Sequence, residues 1–269
     1  MPDFVLRRSR VEYLDRAADL GRDEKRTVLD ALNPLPGQTV VDIGCGAGAD
    51  LARMAELVGD DGLVVGFDAD PVMVAEAQAR TSAHANVRVQ VADAHALPLR
   101  DGSVDRVRME RVAQHLSEPA RTFAEVRRVL KPGGLLAVAD PDWDTLVIDD
   151  PDTETSRAYG SFVATRVVRN GGIGRALGRL AVEAGLDVRA VTASPVVFTD
   201  FAAGDAILRL GRVMGRAVEA GAVDPGAAGR WLERMGREPF LAAFTFFIVV
   251  AERAASRFVV AEPAASLDS

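Results

Sequence analysis

Cysteine occurs once in these 269 residues, tyrosine and tryptophan twice each, and histidine three times. One thiol cannot close an internal disulfide, and His84, His95 and His115 are dispersed without paired metal-ligand spacing, so neither a disulfide scaffold nor a metal site is expected. Basic charge is not in excess either. Thirty-two lysines and arginines against 39 acids give a net charge of −7, which argues against a broad grip on nucleic acid. Long apolar runs are missing too: FLAAFTFFIVVA, residues 240–251, falls well short of the roughly 20 residues a helix needs to cross a bilayer. Its β-branched and aromatic content reads instead as a buried strand. The opening MPDFVLRRSRVEYLDR has no apolar core of secretory type, so a reducing cytoplasm is the expected location, with no membrane partner. What remains is a chain of 48 % hydrophobic and 26 % charged residues, enough to bury the core of one large domain carrying decoration.

From residue 23 onward, helical spacing alternates with short apolar runs, the pattern of a mostly parallel sheet with helices on both faces. DEKRTVLDALNPLPG ends a first helix and TVVDIG is the first strand. In ADLARMAELVGDDG, Leu51, Met54, Ala55 and Val58 recur at helical spacing. LVVGFD is strand two, and Asp70 with Pro71 forms a cap and first turn for the helix PVMVAEAQART. NVRVQVAD, SVDRVRME and LLAVAD follow as strands three to five, with the helix EPARTFAEVRRVLKPGG before the fifth. LDVRAVTASPVVFT and FLAAFTFFIVVAER complete seven strands as a hairpin-like edge. The fold class is therefore α/β, a Rossmann-like seven-stranded sheet with helical insertions after strands five and six.

VVDIGCGAG, residues 40–48, lies at a strand-to-helix junction. Gly44, Gly46 and Gly48 remove Cβ atoms that would hold a ligand off the backbone, beyond a strand end where parallel sheets bind nucleotides. The same glycines could serve only a tight turn. Asp68 ends the second strand 20 residues after Gly48, where a carboxylate can accept from both ribose hydroxyls. The glycines run G-x-G-x-G rather than G-x-G-x-x-G, which weakens the dinucleotide reading. Cys45, between two of these glycines, is expected to pack rather than react.

VVDIGCGAG, GFDADPVMV, VADAHALPLRDGSVDRV and RVLKPGGLLAVAD, in that order over roughly residues 38–140, resemble the class I S-adenosylmethionine-dependent methyltransferases, particularly the ubiquinone/menaquinone-biosynthesis type. The resemblance implies that Gly44 and Gly46 approach the methionine portion of S-adenosylmethionine and that Asp68 holds its ribose. Ala69 and Met73 would flank the adenine, with Asp93 accepting from the adenine amino group and the Ala94 amide meeting a ring nitrogen. Glu110 and Arg111 would stand at the methionine end, Arg111 through its backbone. Tyr13 is a candidate to close over the cofactor. His115, in RVAQHL after strand four, is the candidate general base. A sulfonium is an intrinsically good leaving group, so in-line placement and exclusion of water carry most of the demand, and no catalytic triad is needed.

Substrate recognition is expected from outside the shared core. Residues 1–37 form an N-terminal helical cap and 38–143 the cofactor-binding core; 144–185 and 201–236 are substrate-side helical segments, 186–200 and 237–254 the last strands, and 261–269 a tail. The apolar stripes of these segments can equally bury against the core or against a second copy in a homodimer. DPDWD, residues 140–144, follows strand five: Trp143 is a candidate to stack on a planar acceptor and Asp140 to take a proton. Residues 140–154 carry seven acids and no base, which accounts for the whole net charge. Carboxylates at this strand end hold magnesium in catechol-type methyltransferases, but the motif pattern is nearer the metal-free branch. The expectation is methyl transfer to an O, N or C atom of a small hydrophobic or aromatic metabolite, releasing S-adenosylhomocysteine. The rivals are a non-catalytic adenosyl-binding regulatory module and an NAD(P)-dependent oxidoreductase.

Overall fold

The computed structural model describes residues 22–237 and 239–255; Tyr13, the start of the expected cap and the tail 261–269 lie outside them. Seven strands run β1 (Thr39–Ile43), β2 (Leu63–Asp68), β3 (Val87–Val91), β4 (Val104–Glu110), β5 (Leu130–Ile148), β6 (Asp187–Phe198) and β7 (Ala242–Glu252). They form one sheet in the order β3-β2-β1-β4-β5-β7-β6. Pairings from β3 through β5 are parallel, and β7 inserts antiparallel between β5 and β6. The order reverses at β1 and β4. The crevice beyond their C-terminal ends is where such a sheet receives a ligand.

On one face of the sheet α1 (Arg22–Leu32) lies over β4, β5 and β7 while α2 (Leu51–Val58) and α3 (Pro71–Arg80) lie over β1 to β3, and α4 (Pro119–Val129) packs on the opposite face. Strand side chains alternate between these faces. Val40 packs with Leu32, Leu51 and Val74, whereas Val41 and Ile43 pack with Val107, Met109 and Phe123. Asp70 caps α3 as its sequence implies, its side chain accepting from Val72 N at 2.9 Å, with Pro71 in the first turn.

Two stretches depart from the expected elements. LKPGG does not merely stop α4: the chain passes directly from α4 into β5, and the register against β4 shifts between Val104 and Arg106 around the two glycines. DPDWD is not a loop after strand five either. β5 continues through it to Ile148, paired with β7 apart from an irregularity between Asp142 and Val147. Thr145 accounts for that break, because its hydroxyl accepts from Thr245 N at 2.7 Å and donates to Asp142 O at 2.7 Å.

The two inserted segments supply α5 (Thr153–Phe162), a π-helical turn (Val163–Val167) and α6 (Ile173–Glu183) after β5, then α7 (Phe201–Leu208), α8 (Leu210–Glu219) and α9 (Pro225–Met235) after β6. Their apolar stripes bury against one another and against the sheet. Tyr159 of α5 stacks on Trp231 of α9 with centroids 5.3 Å apart and donates its hydroxyl to Leu208 O at 2.7 Å. Trp231 Nε1 in turn donates to Ser156 Oγ at 2.9 Å. The two segments thus form one joined layer.

Candidate cofactor and acceptor site

A cavity of about 590 Å³ opens over the ends of β1, β2 and β4, within the usual range for small-molecule sites. Its walls bring together Gly44, Gly46, Asp68, Ala69, Met73, Asp93, Ala94, Arg111 and His115. These residues are scattered over some 70 positions of sequence, and the strand order alone makes them neighbours.

The three glycines of the first turn all have positive φ, of 70°, 54° and 77°, a region that disfavours other residues. Their surroundings differ. A Cβ on Gly44 would strike the Val112 side chain, and one on Gly48 would meet Ala77 of α3 at 2.8 Å, so these two permit close packing. A Cβ on Gly46 would meet nothing within 4 Å, and it lines the cavity: its bare backbone is open to a ligand. Cys45 also lines the cavity, and its Sγ occupies the space left by Gly66. Burial, with Asp42 and Asp68 nearby, pushes its thiol well above the ordinary range, so it packs rather than reacts.

Asp68 is locked by the turn it faces. Gly46 N donates to its Oδ2 and Asp70 N to its Oδ1, both at 2.9 Å. An ionised carboxylate offers about four acceptor positions, so both oxygens retain capacity for a vicinal diol. Ala69 and Met73 line the adjoining wall. Asp93 stands on the rim with its side chain largely exposed, its Oδ1 accepting from His95 N at 2.9 Å and lying 2.6 Å from His95 Nδ1. The His95 amide and ring hold this carboxyl below its usual range.

Beside the turn after β1, at the ends of β1 and β4, sits a buried charge cluster. Asp42 and Arg108 are register partners on β1 and β4, and Arg108 bonds Asp42, Asp50 and Glu110, with Oδ1 of Asp42 at 3.1 Å and Oδ2 of Asp50 at 3.0 Å. Arg111 Nη2 lies 3.2 Å from Glu110 Oε1. Burial raises the Asp42 carboxyl to about 6 despite Arg108. For Arg108, burial acts to weaken the charge, but Glu110, Asp42 and Asp50 outweigh it and keep the guanidinium protonated. Sequence reading singled out Glu110 and missed Arg108 and Asp50. The available signal was a pair of opposite charges at matching positions in two apolar strands.

A 3₁₀ turn (Ala113–His115) follows β4 and carries His115 to the cavity wall, exposed to solvent. Asp140 is not on that wall. It is fully buried, accepting from Ala113 N at 3.0 Å and Gln114 N at 3.4 Å, and burial raises it to about 8 even against these amides. Trp143 also lies behind the wall. It packs on Phe244, centroids 4.8 Å apart, and its Nε1 donates to Gln114 Oε1 at 2.9 Å. Gln114 itself lines the cavity and was not anticipated. Asn170, equally unanticipated, donates to Ala113 O at 2.9 Å and Leu116 O at 2.8 Å.

The acidic stretch is not a single patch facing the site. Asp142 bonds Arg175, Asp150 receives two bonds from Arg234 at 2.8 Å each, and Asp152 caps α5 through Thr155 N. Among the described residues no group of three His, Cys, Asp or Glu side chains is gathered to hold a metal ion.

Bare glycine backbone and a strand-end carboxylate, over parallel strands whose order reverses there, are what a doubly wound α/β protein offers a nucleoside ligand. Residues 41–138 match the methyltransferase domain family. An uncharacterised 37.1 kDa protein in transposon TN4556 of Streptomyces fradiae is 47 % identical over 244 residues, covering 90 % of this chain and 71 % of that protein. Demethylmenaquinone methyltransferase of Beutenbergia cavernae is 37 % identical over 149 residues, covering 53 % of this chain and 58 % of that enzyme, so the chain spans just over half the length of this relative. The crystal structure of a S-adenosylmethionine-dependent methyltransferase from Aquifex aeolicus aligns with a TM-score of 0.50 and 28 % identity, over 62 % of this chain and 81 % of that one. The chain belongs to the S-adenosylmethionine-dependent methyltransferase family. Neither the oxidoreductase nor the non-catalytic module finds support in these relatives.

Proposed function

We propose that the protein transfers a methyl group from S-adenosylmethionine to an O, N or C atom of a small hydrophobic or aromatic metabolite. The observation that carries this reading is the Asp68 carboxylate, fixed by Gly46 N and Asp70 N at the mouth of the cavity with acceptor capacity left over. When bound, S-adenosylmethionine supplies an electrophilic methyl carbon on a sulfonium leaving group. Asp68 would hold the ribose hydroxyls, Ala69 and Met73 the adenine faces, and Asp93 with the Ala94 amide its edge. Gly44, Gly46 and the Arg111 backbone would border the methionine portion.

At the reacting end the chain's task is orientation and exclusion of water. The 3₁₀ turn is held from behind by Asp140, Trp143 and Asn170, which keeps His115 and Gln114 in place. Where the acceptor carries a proton, His115 would take it and pass it to solvent, since the ring is exposed at the wall. Asp140 and Trp143 act in this reading through the turn and Gln114, not by touching the acceptor. Among the described residues no helix is long and apolar enough to cross a membrane, and with a single cysteine a cytoplasmic site of action fits.

Calorimetry with S-adenosylmethionine and S-adenosylhomocysteine tests the reading, followed by labelled methyl transfer to a panel of phenolic, quinol and amine metabolites. Saturable one-to-one binding of both is expected. Absence of binding to either would sink it.

A further inference from the structure

Three arginines line the cavity, Arg108, Arg111 and Arg169. Two are matched by carboxylates of the protein: Arg108 by Asp42, Asp50 and Glu110, and Arg111 by Glu110. Arg169 is different. Among the described residues its side chain has neither an ion pair nor a hydrogen bond, and it is exposed at the cavity wall.

The backbone that carries this charge is anchored on both sides. Val168 N donates to Val163 O at 3.0 Å, Asn170 N to Gln114 O at 3.1 Å, and Gly171 O accepts from Trp143 N at 2.8 Å. Asn170 also clasps Ala113 O and Leu116 O through its side chain. Gly171 lies so close to the Ala164 backbone that no side chain fits there. Arg169 is therefore presented from a fixed loop tied to the His115 turn, in the segment inserted between β5 and β6. Gly44 and Gly46 lie in the turn after β1 and Asp68 ends β2, on the other side of β4.

We propose that Arg169 recognises an anionic group, a carboxylate or a phosphate, on the methyl acceptor. The inference rests on the methyltransferase reading and narrows its substrate class to metabolites that pair an acceptor atom with a negative charge. A planar guanidinium suits both anions through paired N–H donors, and an unpaired one at a cavity wall leaves that capacity for a ligand. Arg111 is drawn to Glu110 instead.

The test uses the full chain saturated with S-adenosylhomocysteine. Wild type, Arg169→Gln and Arg169→Lys are titrated by NMR with 4-hydroxybenzoate, phenyl phosphate and the uncharged 4-hydroxybenzamide. Wild type should bind at least one anion roughly tenfold more tightly than the amide, the margin of a charge-assisted contact over a neutral one. Arg169→Gln should lose that preference and Arg169→Lys keep part of it, with S-adenosylhomocysteine affinity unchanged in calorimetry. Equal binding of anions and amide by wild type overturns the proposal. So does a parallel loss of S-adenosylhomocysteine affinity in Arg169→Gln, which would assign the arginine to the cofactor's own carboxylate. Wild type that binds no S-adenosylhomocysteine overturns the reading beneath it instead.

Discussion

Gly46 N donates to Asp68 Oδ2 at 2.9 Å across 22 residues of sequence, joining the turn after β1 to the end of β2. One bond thereby aligns two walls of the cavity. Asp68→Ala should cost roughly 100-fold in S-adenosylmethionine affinity, the value of two hydrogen bonds to a charged group at about 1.5 kcal/mol each. Calorimetry reads this directly. A melting temperature that falls only slightly while binding is lost would separate the ligand role from the bond to Gly46.

Gly46 and Gly48 make opposite demands on a methyl group. Gly46→Ala has open space around it and should cost about 1 kcal/mol of stability for its positive φ, while obstructing the cofactor. Gly48→Ala meets Ala77 as well and should destabilise more, with a smaller direct effect on the cavity. Denaturation midpoints and cofactor affinities measured on both variants should therefore rank in opposite order.

Asp140 ties stability to pH with a definite sign. Its carboxyl, raised by burial from the ordinary value of 3.8 to about 8, binds a proton in the folded chain that the unfolded chain releases over that window. The stability it contributes is full below about pH 4 and declines as pH rises towards 8, at up to about 1.4 kcal/mol per unit. Asp140→Asn removes this dependence. Urea melts from about pH 5 to about pH 9 should show the variant gaining on wild type as pH rises; parallel curves would refute the assignment.

Asn170 holds the turn that carries His115. Asn170→Ala leaves the Ala113 and Leu116 carbonyls without their side-chain donor, at about 1–3 kcal/mol if they stay buried. Amide exchange should accelerate across residues 111–117 more than in β1 or β2. Uniform acceleration would mean that Asn170 supports the whole fold rather than the turn.

Trp231 joins the two inserted segments. Trp231→Ala should cost about 3–5 kcal/mol for the cavity and the lost ring stacking, whereas Trp231→Phe keeps an aromatic ring against Tyr159 and loses the bond to Ser156, at about 1 kcal/mol. Chemical denaturation distinguishes the two. Equal losses would show that the hydrogen bond, not packing, dominates.

The grouping of the residues that the resemblance assigns to the cofactor was legible because it depends on local chemistry. A strand that turns sharply into a helix through positive φ favours glycine, and an acid at the next strand end meets the amides of that turn. Gly44, Gly46, Asp68, Ala69, Met73, Asp93 and Ala94 accordingly line one cavity. The acidic stretch was misleading for the opposite reason: charge in sequence says nothing of its partners, and Arg175 and Arg234, 33 and 84 residues beyond Asp142 and Asp150, take up two of those carboxylates. Sequence by itself determined the alternating elements, the glycine turn and the family. Tertiary structure alone decided that Asp140 and Trp143 stand behind the wall, that Arg108 is surrounded by carboxylates and that Arg169 lines the cavity without a partner among the described residues. Periodicity reports which face of an element is buried, but which distant side chain meets it depends on strand order and on where an insertion folds back.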